Sequence, residues 1–311
     1  MLFVIGMHSI ANYDICGINI NKLYKYTLCS SGIPLFFTVS GYLLLGRKNI
    51  DWHYSAKKIW GIIRFVFIVC WIYWLIMLVI TQEPHWDKLY KDPLGAFLKG
   101  GTFWHFWYFG AMILIYLIYP LINKIYIDKP QYFKHLLLLL IIICLIIYII
   151  NIITPGPFEK RVPQPFRVWN WLLYFCIGGY INKNKKNIKW RFVLTSFLLY
   201  FLQIIIIKKI NPSMFIADYH YCSIFTLINV YCLFQALNSI DTRSISNSIK
   251  LLSPLFLPVY TIHIGFIYAY PIIKLWFAPM AIIYWMLISI MSIAVSWLIM
   301  QTKVGKLIFK I

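Results

Sequence analysis

Long apolar runs separated by short polar segments are the dominant pattern along the chain. A helix that crosses the roughly 30 Å hydrocarbon core of a bilayer needs about 20 mostly apolar residues. The pattern therefore predicts an all-α fold, a polytopic membrane helix bundle of about ten transmembrane helices. We expect a single transmembrane domain over residues 1–311, because the polar segments leave no room for a soluble domain. The predicted spans are residues 1–13, 28–46, 59–81, 103–123, 136–153, 168–182, 191–207, 219–238, 255–277 and 280–301.

The first predicted span is shorter than the others. At 1.5 Å per residue, the segment MLFVIGMHSIANY (residues 1–13) reaches only about 20 Å, too little to cross the hydrocarbon core. We therefore expect that the N-terminus is truncated and that the natural start lies upstream, or that this helix is stunted.

Composition narrows the class of protein. Hydrophobic residues make up 61% of the chain and charged residues 12%, which excludes an ordinary soluble domain. The net charge of +20 is spread over short loops. It offers no continuous basic face for nucleic acid, and we expect a lipid bilayer, with its anionic lipids, as the partner. The seven cysteines form no CxxC pair, so no metal site is expected, although Cys16 and Cys29 flank the first outer loop and could pair.

The loops predict orientation and two surface features. Lys and Arg are more frequent in the loops that are cytoplasmic when the N-terminus is inside, so both termini are predicted to be cytoplasmic. Residues 82–102 are predicted to form a surface helix at the membrane interface. The segment from Thr154 to Arg167 contains four prolines, which predicts a stiff, non-helical outer loop. This loop either shapes an acceptor cleft or merely connects two helices.

Histidine is the candidate for acid–base chemistry inside the membrane. No acidic residue falls within a clear membrane span, and His8 and His263 are the deep titratable side chains. Neutral imidazole accepts and returns a proton near pH 7, which suits a general base. Tyr260 lies one turn from His263 on the same helix face. The alternative is that His8 is a hydrogen-bonded structural histidine.

Two further patterns each allow a functional and a structural interpretation. Ser40 and Gly41 either let another helix approach closely or contact a substrate. Lys57, Lys58 and Arg64 either clamp the phosphates of a nucleotide-like donor or anchor the helix by the positive-inside rule.

The start of the fourth predicted span is rich in aromatic residues. Trp104, Trp107 and Tyr108 are typical of an interfacial aromatic belt. His105 differs, because it adds a second titratable group at the outer face.

Five segments resemble the integral-membrane acyltransferase family 3, the ten-helix O-acyltransferases of bacterial surface glycans. They occur in the family's order over nearly the whole chain. They are MHS in the first span, IPLFFTVSGYLLL in the second, HFWYFGAMILIYLIYPLI in the fourth, YFCIGGYI in the sixth and LSPLFLPVYTIH in the ninth.

The resemblance implies transfer of an acyl group, usually acetyl, from cytoplasmic acetyl-CoA to a sugar hydroxyl on a cell-surface or lipid-linked glycan. The protein would be a multi-pass enzyme of the bacterial inner membrane that uses acyl-CoA as a substrate and holds no bound cofactor. His8 matches the family's catalytic histidine and His263 its ninth-helix histidine. The arginine that the family carries before the first histidine would fall upstream of Met1.

The remaining site residues follow in part from the same resemblance, in which His105, Trp107 and Tyr108 match positions of the family's fourth helix. Lys58 and Arg64 match the donor-binding region, to which Lys57 is added by position. The acceptor or pocket residues are Ser40, Tyr42, His105, Trp107, Tyr108 and Tyr260. Two alternatives stay open. One is a transporter or flippase for a small solute or lipid-linked sugar, although the sequence shows no internal repeat that would support it. The other is a catalytically silent membrane partner.

Overall fold

The computed structural model describes residues 1–9, 29–214, 217–241, 243, 246–268 and 281–309, and all regular structure within these ranges is helical. Cys16 lies outside the described residues, so its pairing with Cys29 stays a prediction. The α-helices are α1 (Leu2–Ser9), α2 (Gly32–Leu44), α3 (Trp52–Thr81), α4 (Lys88–Phe97), α5 (Trp107–Asp128), α6 (Pro130–Ile153), α7 (Val168–Lys183), α8 (Trp190–Ile210), α9 (Ile224–Asn238), α10 (Ser246–Leu252), α11 (Phe256–Tyr268), α12 (Ala281–Gln301) and α13 (Lys303–Ile308).

Within the described ranges, six helical segments are long and apolar enough to cross a membrane. The predicted class, an all-α multi-pass membrane protein, is therefore confirmed, but the number of ten spans is not. Predicted spans two, six and eight correspond to helices of only 13, 16 and 15 residues, namely α2, α7 and α9. The six long segments are Trp52–Thr81, Trp104–Asp128, Pro130–Ile153, Trp190–Ile210, Ser246–Tyr268 and Ile283–Gln301.

The chain divides into two compact units, with one boundary inside α2 and the other directly after α7. Unit one comprises residues 1–36 and 184–310. In it α8 packs on α9, α11 packs on α12, and α1 lies against both α11 and α12. Buried polar side chains in this unit bond to each other: Ser31 Oγ donates to Asn229 Oδ1 (2.6 Å), and Asn229 Nδ2 donates to Ser196 Oγ (3.1 Å). Such pairing removes the cost of polar groups in a dry interior.

Unit two comprises residues 37–183, where α5 packs against α3, α4, α6 and α7. The predicted close approach of helices at small residues is confirmed here. A Cβ on Gly41 would lie 1.8 Å from the carbonyl oxygen of Phe175, and one on Gly178 would lie 2.0 Å from that of Thr38. Only glycine therefore lets the backbones of α2 and α7 come this close.

The start of α3 differs from the sequence prediction, which placed it at residue 59. Asp51 caps the helix, because its Oδ1 accepts a hydrogen bond from the backbone N–H of Tyr54 at 2.7 Å. The helix therefore begins at Trp52, and Lys57 and Lys58 lie within it instead of in the preceding loop.

The surface helix predicted within residues 82–102 is present as α4. Two indole groups of α3 hold this segment: Trp71 Nε1 donates to the carbonyl of Leu89 and Trp74 Nε1 to that of His85, each at 2.9 Å.

Candidate active site

The two deep histidines of the sequence prediction meet in unit one. The imidazole rings of His8 (α1) and His263 (α11) stack with centroids 5.5 Å apart and planes 21° from parallel. His263 is fully buried, whereas His8 is partly exposed. Two imidazole side chains are thus in direct ring contact within apolar helices.

Local packing fixes where α1 carries His8. A Cβ on Gly6 would lie 2.6 Å from Cys29 Sγ and 3.0 Å from Trp285 Cε2, so α1 passes close to both neighbours. Trp285 Nε1 also donates to the carbonyl of Leu2 at 2.8 Å. These contacts set the height and rotation of α1, and with them the position of the His8 ring.

The orientation of His263 follows from a backbone contact. Its Nδ1 lies 3.2 Å from the carbonyl oxygen of Val259, and a carbonyl only accepts, so Nδ1 carries the hydrogen. Nε2 is then the basic nitrogen of the neutral ring. Tyr260, predicted on the same face, has its ring centroid 5.9 Å from that of His263, and Phe36 packs on Tyr260 at 6.3 Å.

In unit two the structure brings Ser40 and Tyr108 together. The Ser40 Oγ and the Tyr108 hydroxyl lie 3.1 Å apart, within hydrogen-bond distance. The ring of Phe37 lies 4.9 Å from that of Tyr108 and stacks on Trp171 at 4.8 Å, and Trp171 in turn packs on Trp107 at 5.0 Å. Three predicted pocket residues therefore belong to one aromatic cluster with a hydroxyl pair at one end.

The other predicted pocket residues of unit two have different surroundings. His105 is 1% exposed and lies among the rings of Phe103, Trp104 and Phe106, at centroid distances from 4.5 to 6.0 Å. Tyr42 contributes its backbone, whose carbonyl accepts from Asn182 Nδ2 at 2.9 Å.

The three predicted donor-binding cations all lie on α3. Lys57 and Arg64 are exposed and Lys58 is partly buried. Lys57 and Arg64 are seven positions apart, so the two share one face of the helix as predicted.

Sequence reasoning missed a buried carboxylate in the proline-rich loop. Glu159 is fully buried, and its two oxygens accept from Asn151 Nδ2 (3.0 Å) and Asn170 Nδ2 (2.7 Å), on α6 and α7 respectively. Burial raises the pKa of Glu159 to about 6, although the Arg167 guanidinium and the two amides oppose the shift. In sequence, Glu159 precedes Lys160 and Arg161 and resembles a solvated charge. The sequence feature that could have indicated a buried carboxylate is the asparagine on either side of the loop, Asn151 and Asn170.

The loop around Glu159 connects to the aromatic cluster through hydrogen bonds. Arg167 Nη2 donates to the carbonyl of Glu159 at 2.7 Å. The backbone carbonyl of Gln164 accepts a hydrogen bond from Trp171 Nε1 at 2.7 Å, and the Gln164 side-chain Oε1 accepts one from Lys99 Nζ. The loop contains two 3₁₀ turns, Phe158–Arg161 and Gln164–Phe166, and no α-helix, as its prolines predict. It therefore helps to position Trp171.

His220 is a third buried histidine, in a short turn between α8 and α9. Its Nε2 lies 3.0 Å from the carbonyl of Met214. Burial lowers the pKa of His220 to about 4, with the bond to Met214 opposing the shift. The imidazole is therefore neutral at physiological pH.

Comparison with known proteins identifies the family to which the chain belongs. The Acyltransferase domain profile of acyltransferase family 3 matches residues 1–301. An amino-acid racemase of Enterococcus faecalis is 25% identical over 99 residues, which cover 30% of this chain and 14% of that protein. No solved structure matches the chain significantly.

The all-α bundle, with several helices long and apolar enough to span a membrane, agrees with this match. The chain belongs to acyltransferase family 3.

Proposed function

We propose that the protein is a membrane O-acyltransferase that transfers an acyl group, most simply acetyl, from cytoplasmic acyl-CoA to a hydroxyl of a cell-surface or lipid-linked glycan. The observation that carries the proposal is the ring contact of His8 and His263 inside a chain of this family. Acetyl-CoA acts as a substrate, and the proposal needs no bound cofactor. The protein lies in the bacterial inner membrane with both termini in the cytoplasm.

The histidine pair supplies the proton transfer. His8, the partly exposed ring, takes the proton of the acceptor hydroxyl as that oxygen attacks the thioester carbonyl carbon. A C–O bond forms, the C–S bond breaks, and the proton passes to the departing sulfur to give free CoA thiol. His263 is fully buried, so it makes no contact with substrate. It positions the ring of His8 through the stacking contact. Its Nδ1 bond to the carbonyl of Val259 fixes the orientation of the ring.

Binding is assigned to the other predicted residues. Lys57, Lys58 and Arg64 supply cations for the donor's phosphates, which pair strongly with ammonium and guanidinium groups. Tyr260 lines the histidine pair. In unit two, the acceptor site is assigned to Ser40, Tyr42, His105, Trp107 and Tyr108. The hydroxyls of Ser40 and Tyr108 hydrogen-bond the sugar, whereas His105 and Trp107, at 1% and 3% exposure, belong to the packed interior of the site.

The experiment compares surface glycans of the host with and without the gene by mass spectrometry. We expect one glycan to lose the mass of an acyl group at each modified sugar, and the plasmid-borne gene to restore it. If every glycan keeps its mass while a solute or lipid-linked sugar accumulates on one side of the membrane, the protein is a transporter and the proposal fails.

A further inference from the structure

A cavity of about 460 Å³ lies in unit two, between the turn that joins α2 to α3 and the last turns of α5. This volume is in the range of small-molecule sites. None of the predicted donor-binding residues lines it. Its walls are Arg47, Asn49, Ile50, Asp51, Trp52, Pro120, Leu121, Asn123, Lys124, Ile127 and Asp128.

The wall formed by the α2–α3 turn is held in place by α5. Asn123, which is 3% exposed, accepts from the backbone N–H of Gly46 (2.8 Å) and donates to the carbonyl of Arg47 (2.9 Å). Tyr119 donates to the carbonyl of Leu44 at 2.6 Å. Gly46 has a φ of 91°, which glycine adopts without strain. The cavity is therefore formed without a ligand.

The wall carries two cations, Arg47 and Lys124, and two carboxylates, Asp51 and Asp128, so it suits a ligand that has both an anionic group and hydrogen-bond donors. Arg47 donates from Nε to the carbonyl of Leu43 at 2.8 Å and from Nη1 to the Tyr54 hydroxyl at 3.5 Å, and these two bonds hold its guanidinium beside the turn. Within the described part of the chain, Lys124 makes no ion pair or hydrogen bond. Asp51 is occupied as the cap of α3, whereas Asp128 adds an acceptor.

The surroundings of the cavity are strongly basic. Further cations lie at the same ends of the helices in unit two, where α3 and α6 begin and α7 ends, and they raise the local concentration of anions. These are Lys48, Lys57, Lys58, Lys129, Lys134 and Lys183. Trp52, Leu121 and Ile127, each at least 45% exposed, add an apolar rim.

From this combination we propose that the cavity binds a phosphate ester that also bears hydroxyl or amino groups. The phosphate lies against Arg47 and Lys124, the donor groups against Asp128, and apolar parts on the side chains of Trp52 and Ile127. The proposal rests on the proposed function in one respect: the nucleotide end of acyl-CoA is one source of this chemistry. A phospholipid headgroup is the other source, because the cavity lies at the ends of α3 and α5, which are both long and apolar enough to span a membrane.

The first arm of the test measures binding of radiolabelled CoA to the protein in phosphatidylcholine nanodiscs. We expect Lys124→Gln to weaken binding about tenfold, as for one lost charge-assisted hydrogen bond. Lys134→Gln is the matched control, since it removes an equally exposed cation at the same membrane face, outside the cavity wall. It should change the affinity by less than about twofold.

The second arm uses nanodiscs with phosphatidylglycerol and counts retained lipid by native mass spectrometry. Loss of a retained lipid in Lys124→Gln but not in Lys134→Gln assigns the cavity to a phospholipid headgroup. If neither CoA nor lipid binding responds to Lys124, the cavity proposal is overturned. Wild-type CoA binding that persists in both variants leaves the donor assignment of the proposed function intact. A wild-type protein that binds no CoA removes that assignment, whatever the lipid arm shows.

Discussion

The histidine pair of unit one and the Glu159 cluster of unit two each hold one fully buried ionisable side chain, His263 and Glu159, in a different way. Glu159 is tied by two amides from different helices, so its oxygens serve to close a loop. His8 and His263 instead stack one imidazole ring on another, and the backbone carbonyl of Val259 orients His263. Burial alone therefore does not mark a catalytic group. Under the proposed function, the difference lies in the neighbours: Glu159 has fixed structural partners, whereas His263 has a second imidazole.

The largest expected effect comes from breaking the pair at its buried member. His263→Asn keeps an N–H that can reach the carbonyl of Val259 but removes the ring that stacks on His8. We expect transfer to fall at least about 100-fold, the usual scale for loss of acid–base assistance. Acyl incorporation per amount of folded protein in membranes measures this. An activity within a few fold of wild type would make His263 a packing residue.

His220 sharpens the comparison, because it is buried without a stacked histidine among its described contacts. Its pKa is about 4 in the folded protein and 6.5 when exposed, so stability is full above pH 6.5 and is lost as pH falls toward 4. The loss amounts to about 3 kcal/mol. Thermal unfolding in detergent should show this dependence in wild type, and His220→Asn should lack it. Equal pH dependence in both proteins would contradict the assignment.

Glu159 should show a dependence of opposite sign. Its folded pKa of about 6 lies above the usual 4.5, so the folded state prefers the protonated acid. The stabilisation is fully present below pH 4.5 and is lost as pH rises through 6, a change of about 2 kcal/mol. The difference in melting temperature between wild type and Glu159→Gln should therefore vary across this window. A constant difference from pH 4 to 7 would show that the carboxyl does not titrate there.

The smallest expected effect is at the hydroxyl pair of unit two. Tyr108→Phe keeps the ring that packs on Phe37 but removes the hydrogen bond with Ser40. Without a substrate role the cost is about 1 kcal/mol of stability. If the pair binds the acceptor, KM for acceptor rises while kcat changes little. A change in neither KM nor stability would remove Tyr108 from the site.

The sequence was informative where the membrane itself dictates the pattern. The Leu- and Ile-rich run of α6 can only be a buried or lipid-facing helix, and elimination of acidic residues led to His8 and His263. Their contact was not predictable, because it joins helices from opposite ends of the chain. Burial of Glu159 was missed for the same reason: it depends on two asparagines that become its partners only after α6 and α7 pack side by side.

The most direct test of the account is the acyl content of the host's surface glycan in cells that express His8→Ala at wild-type membrane levels. His135→Ala, an exposed histidine on α6, is the matched control. The account predicts that the acyl group disappears from the glycan in His8→Ala and remains in His135→Ala. Normal acylation in His8→Ala would contradict the assignment of proton transfer to the histidine pair.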